Sequence, residues 1–388
     1  MDNSKYSGYE EFERAVKLNR ISLEMMGLWP KARQNYREKL MCNLRVLFIF
    51  VAIISSILIP SVHSLIITHS DLMQVVDNLQ STVPGVNCVL KIVIFWRKKE
   101  GLDKLEESER EEGDDEKSRS RANNHRDRVF PYGIGVHFYC HSASFGITTR
   151  YITNITDPGR PMPVQTHYVY DITKTPQYEL TYIVLFFSCF FTFACYAGID
   201  NFLALVVFHI CGQLDILRYR FLSLDRFTNF HAVLKSCVMD HMRLLRAIAV
   251  VEETYNAIFL ILFLCNGVLF AFYGFLIINL LTKENDVPIT RLVYLISNTS
   301  NIFAHTCLYC AIGEILMTQC DRIYYAVFNQ EWYILEPSKA RDLIPIIIKT
   351  RKPVYLTAGK IFPITMATFC SLIKTSAGYI SVLLNMSA

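Results

Sequence analysis

The sequence predicts an all-α, polytopic membrane protein with seven transmembrane helices in an inverted topology, the N-terminus cytoplasmic and the C-terminus extracellular. Three observations predict it. Apolar residues make up 52% of the 388, with a mean hydropathy of +0.26, which is greasy for a water-soluble domain. Apolar runs recur at the length that crosses about 30 Å of hydrocarbon, roughly 20 residues. Lys and Arg fall almost entirely in alternate connecting segments, the bias that marks cytoplasmic loops.

The clearest spans are Val46 to Ile67, Tyr182 to Ile210, Tyr255 to Leu281 and Ile361 to Leu384, with Leu292 to Met317 as a fifth. Two more are more polar. Leu72 to Trp96 carries Asp77, Gln80 and Pro84, and Val129 to Ile152 carries His137, His141 and Arg150. Segments 1–44, 97–128, 211–254 and 318–360 hold 8, 10, 6 and 7 basic residues, a total of 31, against 5 in the alternate segments. The Asn-x-Ser/Thr sequons at Asn154, Asn298 and Asn385 fall at or near the expected outer faces, and Asn154 is the glycosylation candidate.

These spans divide the chain. Residues 1–44 contain EEFERAVKLNRISLEMMGLWP, which reads as an amphipathic cytoplasmic helix with no apolar signal region before it. Residues 45–317 hold spans one to six. They include a charged inner loop at 97–128 with 10 basic and 11 acidic residues, which is expected to be solvated. An outer loop rich in Pro, Thr and Tyr runs over 150–181, and an inner helical segment over 211–254. Residues 318–360 read as cytoplasmic helices suited to subunit contact, and 361–388 as the seventh span.

Catalytic signatures are missing: there is no HExxH, no GxSxG and no kinase set, so the sequence does not read as an enzyme. No cofactor or metal is expected. Cys307 and Cys310 have CxxC spacing inside an apolar helix, where packing is the simpler role. The net charge of +4 lies over the inner loops and is a topology signal, with no nucleic-acid footprint.

Charges inside spans are costly and call for a reason. Asp200, Glu314 and Lys374 are expected to face one another or polar cavities, holding helices in register, or to move with a gate. Lys91, one turn from the end of its span, is expected to snorkel. On the seventh span Ser371, Thr375, Gly378, Val382 and Asn385 or Met386 recur every three to four residues, a small or polar stripe on an apolar helix. Such a stripe suits either a close helix contact or a pore wall gated near its end by Val382 and Met386. Periodicity leaves both open.

The end of the chain, RKPVYLTAGKIFPITMATFCSLIKTSAGYISVLL, resembles the insect odorant receptor family, as do YCAIGEIL, YELTY, HICGQLDIL and CVMDHMRLLR upstream. The resemblance covers nearly the whole chain. It implies a subunit of an odorant-gated, non-selective cation channel, in which four subunits surround one pore lined by their seventh helices. A ligand-tuning subunit assembles there with a shared co-receptor, and this chain, lacking the co-receptor's long inner insertion, resembles a tuning subunit. Its implied partners are volatile odorants, the co-receptor and membrane lipid. The implied location is the plasma membrane, multi-pass, in the dendrite of an olfactory neuron. Carried over by position, the pore and gate residues are Val382, Asn385 and Met386. The odorant pocket takes in Val76, Tyr139, Ser144, Phe187, Phe191 and Asn298.

The charged run 109–128 departs from the family pattern. The sister gustatory family is the nearest alternative, because Tyr379, five mostly apolar residues and Asn385 relate to its terminal motif. A seven-helix G-protein-coupled receptor needs the opposite orientation and lacks support from an NPxxY in the last span.

Overall fold

The computed structural model describes residues 19–29, 35–67, 82–99, 177–224, 229–283, 289–330 and 332–387, with single positions between them. The expected third span, 129–152, lies outside the described residues, as does most of the 97–128 and 150–181 loops.

Helix α1 runs Tyr36–Ile67, starting ten residues before the expected span because the basic turns at Arg37 and Lys39 continue the helix. Its ladder widens to a π-turn at Ile54–Leu58. The cause is Pro60, which has no N–H to give and whose ring crowds the carbonyl four residues back. Ser55 and Ser56 hydroxyls both donate to Ala52 O, at 3.2 and 2.6 Å, while Ile59 N–H reaches Ile54 O. Helix α2 covers 82–99.

Helices α3 (Gln177–Leu222) and α4 (Phe230–Lys283) have 46 and 54 residues, so at 1.5 Å per residue they are about 70 and 80 Å long, more than twice a bilayer core. The segment expected at 211–254 is therefore largely the continuation of two long helices, α3 to Leu222 and α4 from Phe230. Helix α5 is Ile289–Phe328 and α6 is Pro337–Thr350, opened by Pro337 at its first position, where a missing N–H costs nothing. A two-stranded antiparallel hairpin follows, β1 (Thr357–Ala358) and β2 (Phe362–Pro363), pairing Thr357 with Pro363 and Ala358 with Phe362. The terminal helix α7 is Met366–Ser387.

Among the described residues, α1, α3, α4 (Phe230–Thr282) and α7 are long and apolar enough to cross a membrane. α1, α3 and α4 contain the expected spans 46–67, 182–210 and 255–281; the span expected from Ile361 is corrected to begin at Met366, because 361–365 belong to the hairpin and its exit. The more polar span expected at 72–96 and the fifth span expected at 292–317 overlap α2 and α5.

Chain contacts group the residues into two compact units. The first comprises Met1–Phe202, Ile261–Phe303 and Ile373–Ala388. Leu269, Tyr273, Leu276, Leu280 and Leu295 form a buried cluster there, with Val83, Leu383 and Leu384 against it. The amino-terminal helical segment at 19–25 is fastened into the same unit. With its amide oriented to satisfy both groups, Asn19 donates to Gly198 O and accepts from Phe202 N. Trp29 and Phe95 both meet the Phe202 ring edge-on at 5.7 Å. Gly27 takes φ +74 to end the segment, where a Cβ would lie 2.6 Å from Cys42 O, and Lys99 Nζ donates to Gly27 O at 3.2 Å.

The second unit comprises Leu203–Leu260 and Ala304–Leu372. Its core includes Phe221, Leu234, Tyr255, Phe259, Val327 and Leu343, and where water is the reference each such side chain contributes about 1.5–3 kcal/mol. Polar ties bind its edges: Arg220 to Asp240 at 2.9 Å, His231 to Asp342 at 2.9 Å, and the Gln330 amide to Phe221 O.

Candidate functional site

The charges expected within spans come first, because the structure gives each a different setting. Lys91 Nζ bonds both carboxylate oxygens of Asp200, at 2.8 and 2.9 Å, and lies 3.4 Å from the centre of the Tyr196 ring. The two side chains are only 3% and 7% exposed. The expectation that Lys91 snorkels is corrected: its stem turns inward from α2 to α3, because a carboxylate in a low-dielectric interior attracts an ammonium more strongly than distant water does.

Among the described residues Glu314 on α5 meets no side-chain cation; its Oε2 accepts a hydrogen bond from Met366 N at 3.2 Å, at the first turn of α7. Lys374 lies on an exposed face of α7. Asp200, Glu314 and Lys374 thus do not hold one another in register, and the ion pair that does form was hidden in the Lys91 position.

Helix α7 has two unlike faces. One packs: Phe369 and Ser376 are buried, Ser376 Oγ donates to Gly267 O at 3.2 Å, and Ile380 occupies the space beside Gly274 that a Cβ would need. The other carries the small and polar stripe. Ser371, Thr375, Gly378, Val382 and Asn385 are all exposed, Val382 at 54%. A Cβ at Gly378 would meet nothing within 4 Å. Among the described residues, then, nothing packs closely against the stripe at Gly378. Met386 ends the same helix, and its side chain lies outside the described residues.

The junction that leads into α7 is built from backbone as much as from side chains. Gly359 and Lys360 both take positive φ, +58 and +60, to turn the hairpin. Gly359 N donates to Asn256 O at 2.8 Å, Thr357 Oγ1 to Glu252 at 2.5 Å and Ile364 N to Leu356 O at 2.8 Å. Thr365 caps α7, its hydroxyl accepting from Thr368 N at 3.4 Å, while Thr368 Oγ1 donates back to Pro363 O at 2.6 Å. This two-stranded junction went unread in the sequence. The signal was there in LTAGK, a glycine between Ala358 and Lys360 shortly ahead of an apolar helix.

The expected pocket residues are only partly described. Val76, Tyr139 and Ser144 lie outside the described residues, as does Asn154. Phe187 on α3 is 53% exposed, with Phe186 at 5.8 Å, and Phe191 one turn on is half-buried beside Phe190. Asn298 on α5 turns its amide to its own helix, donating to Tyr294 O at 3.0 Å. Cys310 is buried and Cys307 half-buried in the same helix.

Long apolar helices, a buried ion pair between two of the helices and a terminal helix with one polar face define a polytopic helical membrane protein. A family model for the 7tm odorant receptors matches residues 71–377. The chain belongs to that odorant receptor family, whose members are receptors and not enzymes.

Among its relatives, odorant receptor 10a of Drosophila melanogaster is 22% identical over 219 residues, covering 53% of this chain and 52% of that one. Odorant receptor 10 of Aedes albopictus is 24% identical over 216 residues, covering 54% and 56%. The chain spans about half the length of these relatives. The solved structure of the olfactory receptor OR5 from Machilis hrabei in complex with eugenol is similar at a TM-score of 0.79 and 16% identity, over 97% of this chain and 99% of that one. A second solved structure of the same receptor gives 0.78 and 15%. At these identities the likeness establishes the fold.

Proposed function

We propose that this chain is the odorant-binding, tuning subunit of a heteromeric, ligand-gated, non-selective cation channel, formed with a common co-receptor in the plasma membrane of olfactory neurons. The observation that carries the reading is the stripe on α7. A spanning helix on which Ser371, Thr375, Gly378 and Asn385 are exposed presents a small and polar face that suits the wall of a water-filled pore shared between subunits better than it suits lipid. The seven spans, the inner amino terminus and the outer carboxyl terminus belong to the same reading, supported by the 31 to 5 distribution of basic residues.

Val382, Asn385 and Met386 then line the pore, with Val382 and Met386 as its apolar constriction. The ligand site draws on Val76, Tyr139, Ser144, Phe187, Phe191 and Asn298, an aromatic and apolar set that suits volatile ligands bound by shape and dispersion. Segment 318–360 supplies the inner surface where subunits meet.

Co-expression tests it. The chain with the co-receptor is expected to give odorant-evoked cation current under voltage clamp, and the chain alone none. Robust current from the chain alone would sink the tuning role.

A further inference from the structure

We infer that Glu314 is the positioning residue through which α5 holds the start of α7, so that a shift of α5 reaches the terminal helix through one carboxylate. The inference rests on the channel reading above for its functional consequence, and on geometry for the contact itself.

The first N–H groups of any helix lack partners within it. In α7 these are met from two sources. Thr365 and Thr368 close the first turn locally, whereas Met366 N is met from another helix, by Glu314 Oε2 at 3.2 Å. A carboxylate at that end also opposes the positive pole of the helix.

Closeness is enforced beside it. At Gly313 a Cβ would overlap Ile364 O, so the backbone of α5 lies directly against the chain entering α7, and only glycine allows it. Behind the junction, the hairpin is fixed to α4 by Gly359 N to Asn256 O and by Thr357 to Glu252. The entry to α7 is thus pinned to α4 by the hairpin and to α5 by Glu314.

A hydrogen bond of this length is lost within a displacement of about 1 Å. A ligand can shift a conformational balance only through contacts that differ between states, and the cap is a contact of that kind. Helix α5 carries both ends of the link, the proposed ligand residue Asn298 and Glu314. A static cap, important for folding alone, is the simpler account, and the experiment separates the two.

Two readouts are taken on Glu314→Ala, Glu314→Gln and Glu314→Asp. Hydrogen exchange at residues 364–369 is measured on the purified full chain in phosphatidylcholine nanodiscs. Concentration–response curves are measured on the chain with its co-receptor, using the most active compound of a panel of eugenol and volatile esters, with surface protein quantified. Glu314→Ala is expected to speed exchange about tenfold, the size of a lost charge-assisted cap, and to shift the half-maximal concentration by a similar factor at normal surface level. Glu314→Gln keeps an oxygen acceptor and should stay within about twofold on both.

Unchanged exchange in Glu314→Ala overturns the cap. Faster exchange with an unmoved half-maximal concentration overturns the coupling and leaves a static cap. Should the alanine variant fail to reach the surface, Glu314→Asp, one methylene short of Met366, must show the same pair of changes. A wild-type pair silent to the whole panel sinks the channel reading and the coupling with it, while exchange still decides the cap.

Discussion

Lys91 and Asp200 show how a single residue can be bound by its surroundings. Each is costly alone in a nonpolar interior, and together they are 2.8 Å apart with Tyr196 over the ammonium. Removing one partner leaves a buried charge, at a cost of about 3–5 kcal/mol. Lys91→Ala or Asp200→Ala is therefore expected to lower the melting temperature and surface yield sharply. The exchanged pair, Lys91→Asp with Asp200→Lys, should recover part of the loss, and no recovery would mean the pair is not the source of the cost.

Gly359 is a second such residue. Its φ of +58 and the 2.6 Å approach of Leu260 to a would-be Cβ predict that Gly359→Ala costs about 1–3 kcal/mol, read as lower thermal stability of the solubilised protein. Both residues were visible as letters. That Lys91 would find Asp200, 109 positions away, was not, since pairing depends on how two helices are rotated against each other.

At the scale of the element, α7 is the helix whose pattern and placement agree. The stripe of Ser371, Thr375, Gly378, Val382 and Asn385 was legible from its spacing, and among the described residues nothing lies within 4 Å of a Cβ at Gly378. On the proposed reading, Val382→Ala and Met386→Ala are expected to raise resting conductance or change ion permeability, measured as leak current and reversal potential in the co-expressed pair. Unaltered permeation in both variants would remove them from the constriction. In α1, by contrast, the π-turn at Ile54–Leu58 follows from Pro60 alone, so this irregularity is local and sequence-determined.

The whole molecule is set by long helices. α3 and α4 extend beyond any bilayer, and their continuations with α6 and the hairpin make up most of the second unit. The proposed inverted orientation belongs to this scale, and on it an epitope at the amino terminus of the expressed chain is expected to stain only after cells are permeabilised. Staining of intact cells would reverse the sidedness of every span.

What the sequence determined by itself is what depends on local content: helical class, the four strongly apolar spans, the two-faced terminal helix and family membership, all set by composition and period along one strand of chain. The tertiary structure decided which charges meet. It turned Lys91 inward to Asp200, gave Glu314 the first turn of α7, and placed the stripe of α7 on an open face. Those outcomes depend on the relative rotation and approach of helices distant in sequence, which a periodic pattern leaves free and close packing fixes.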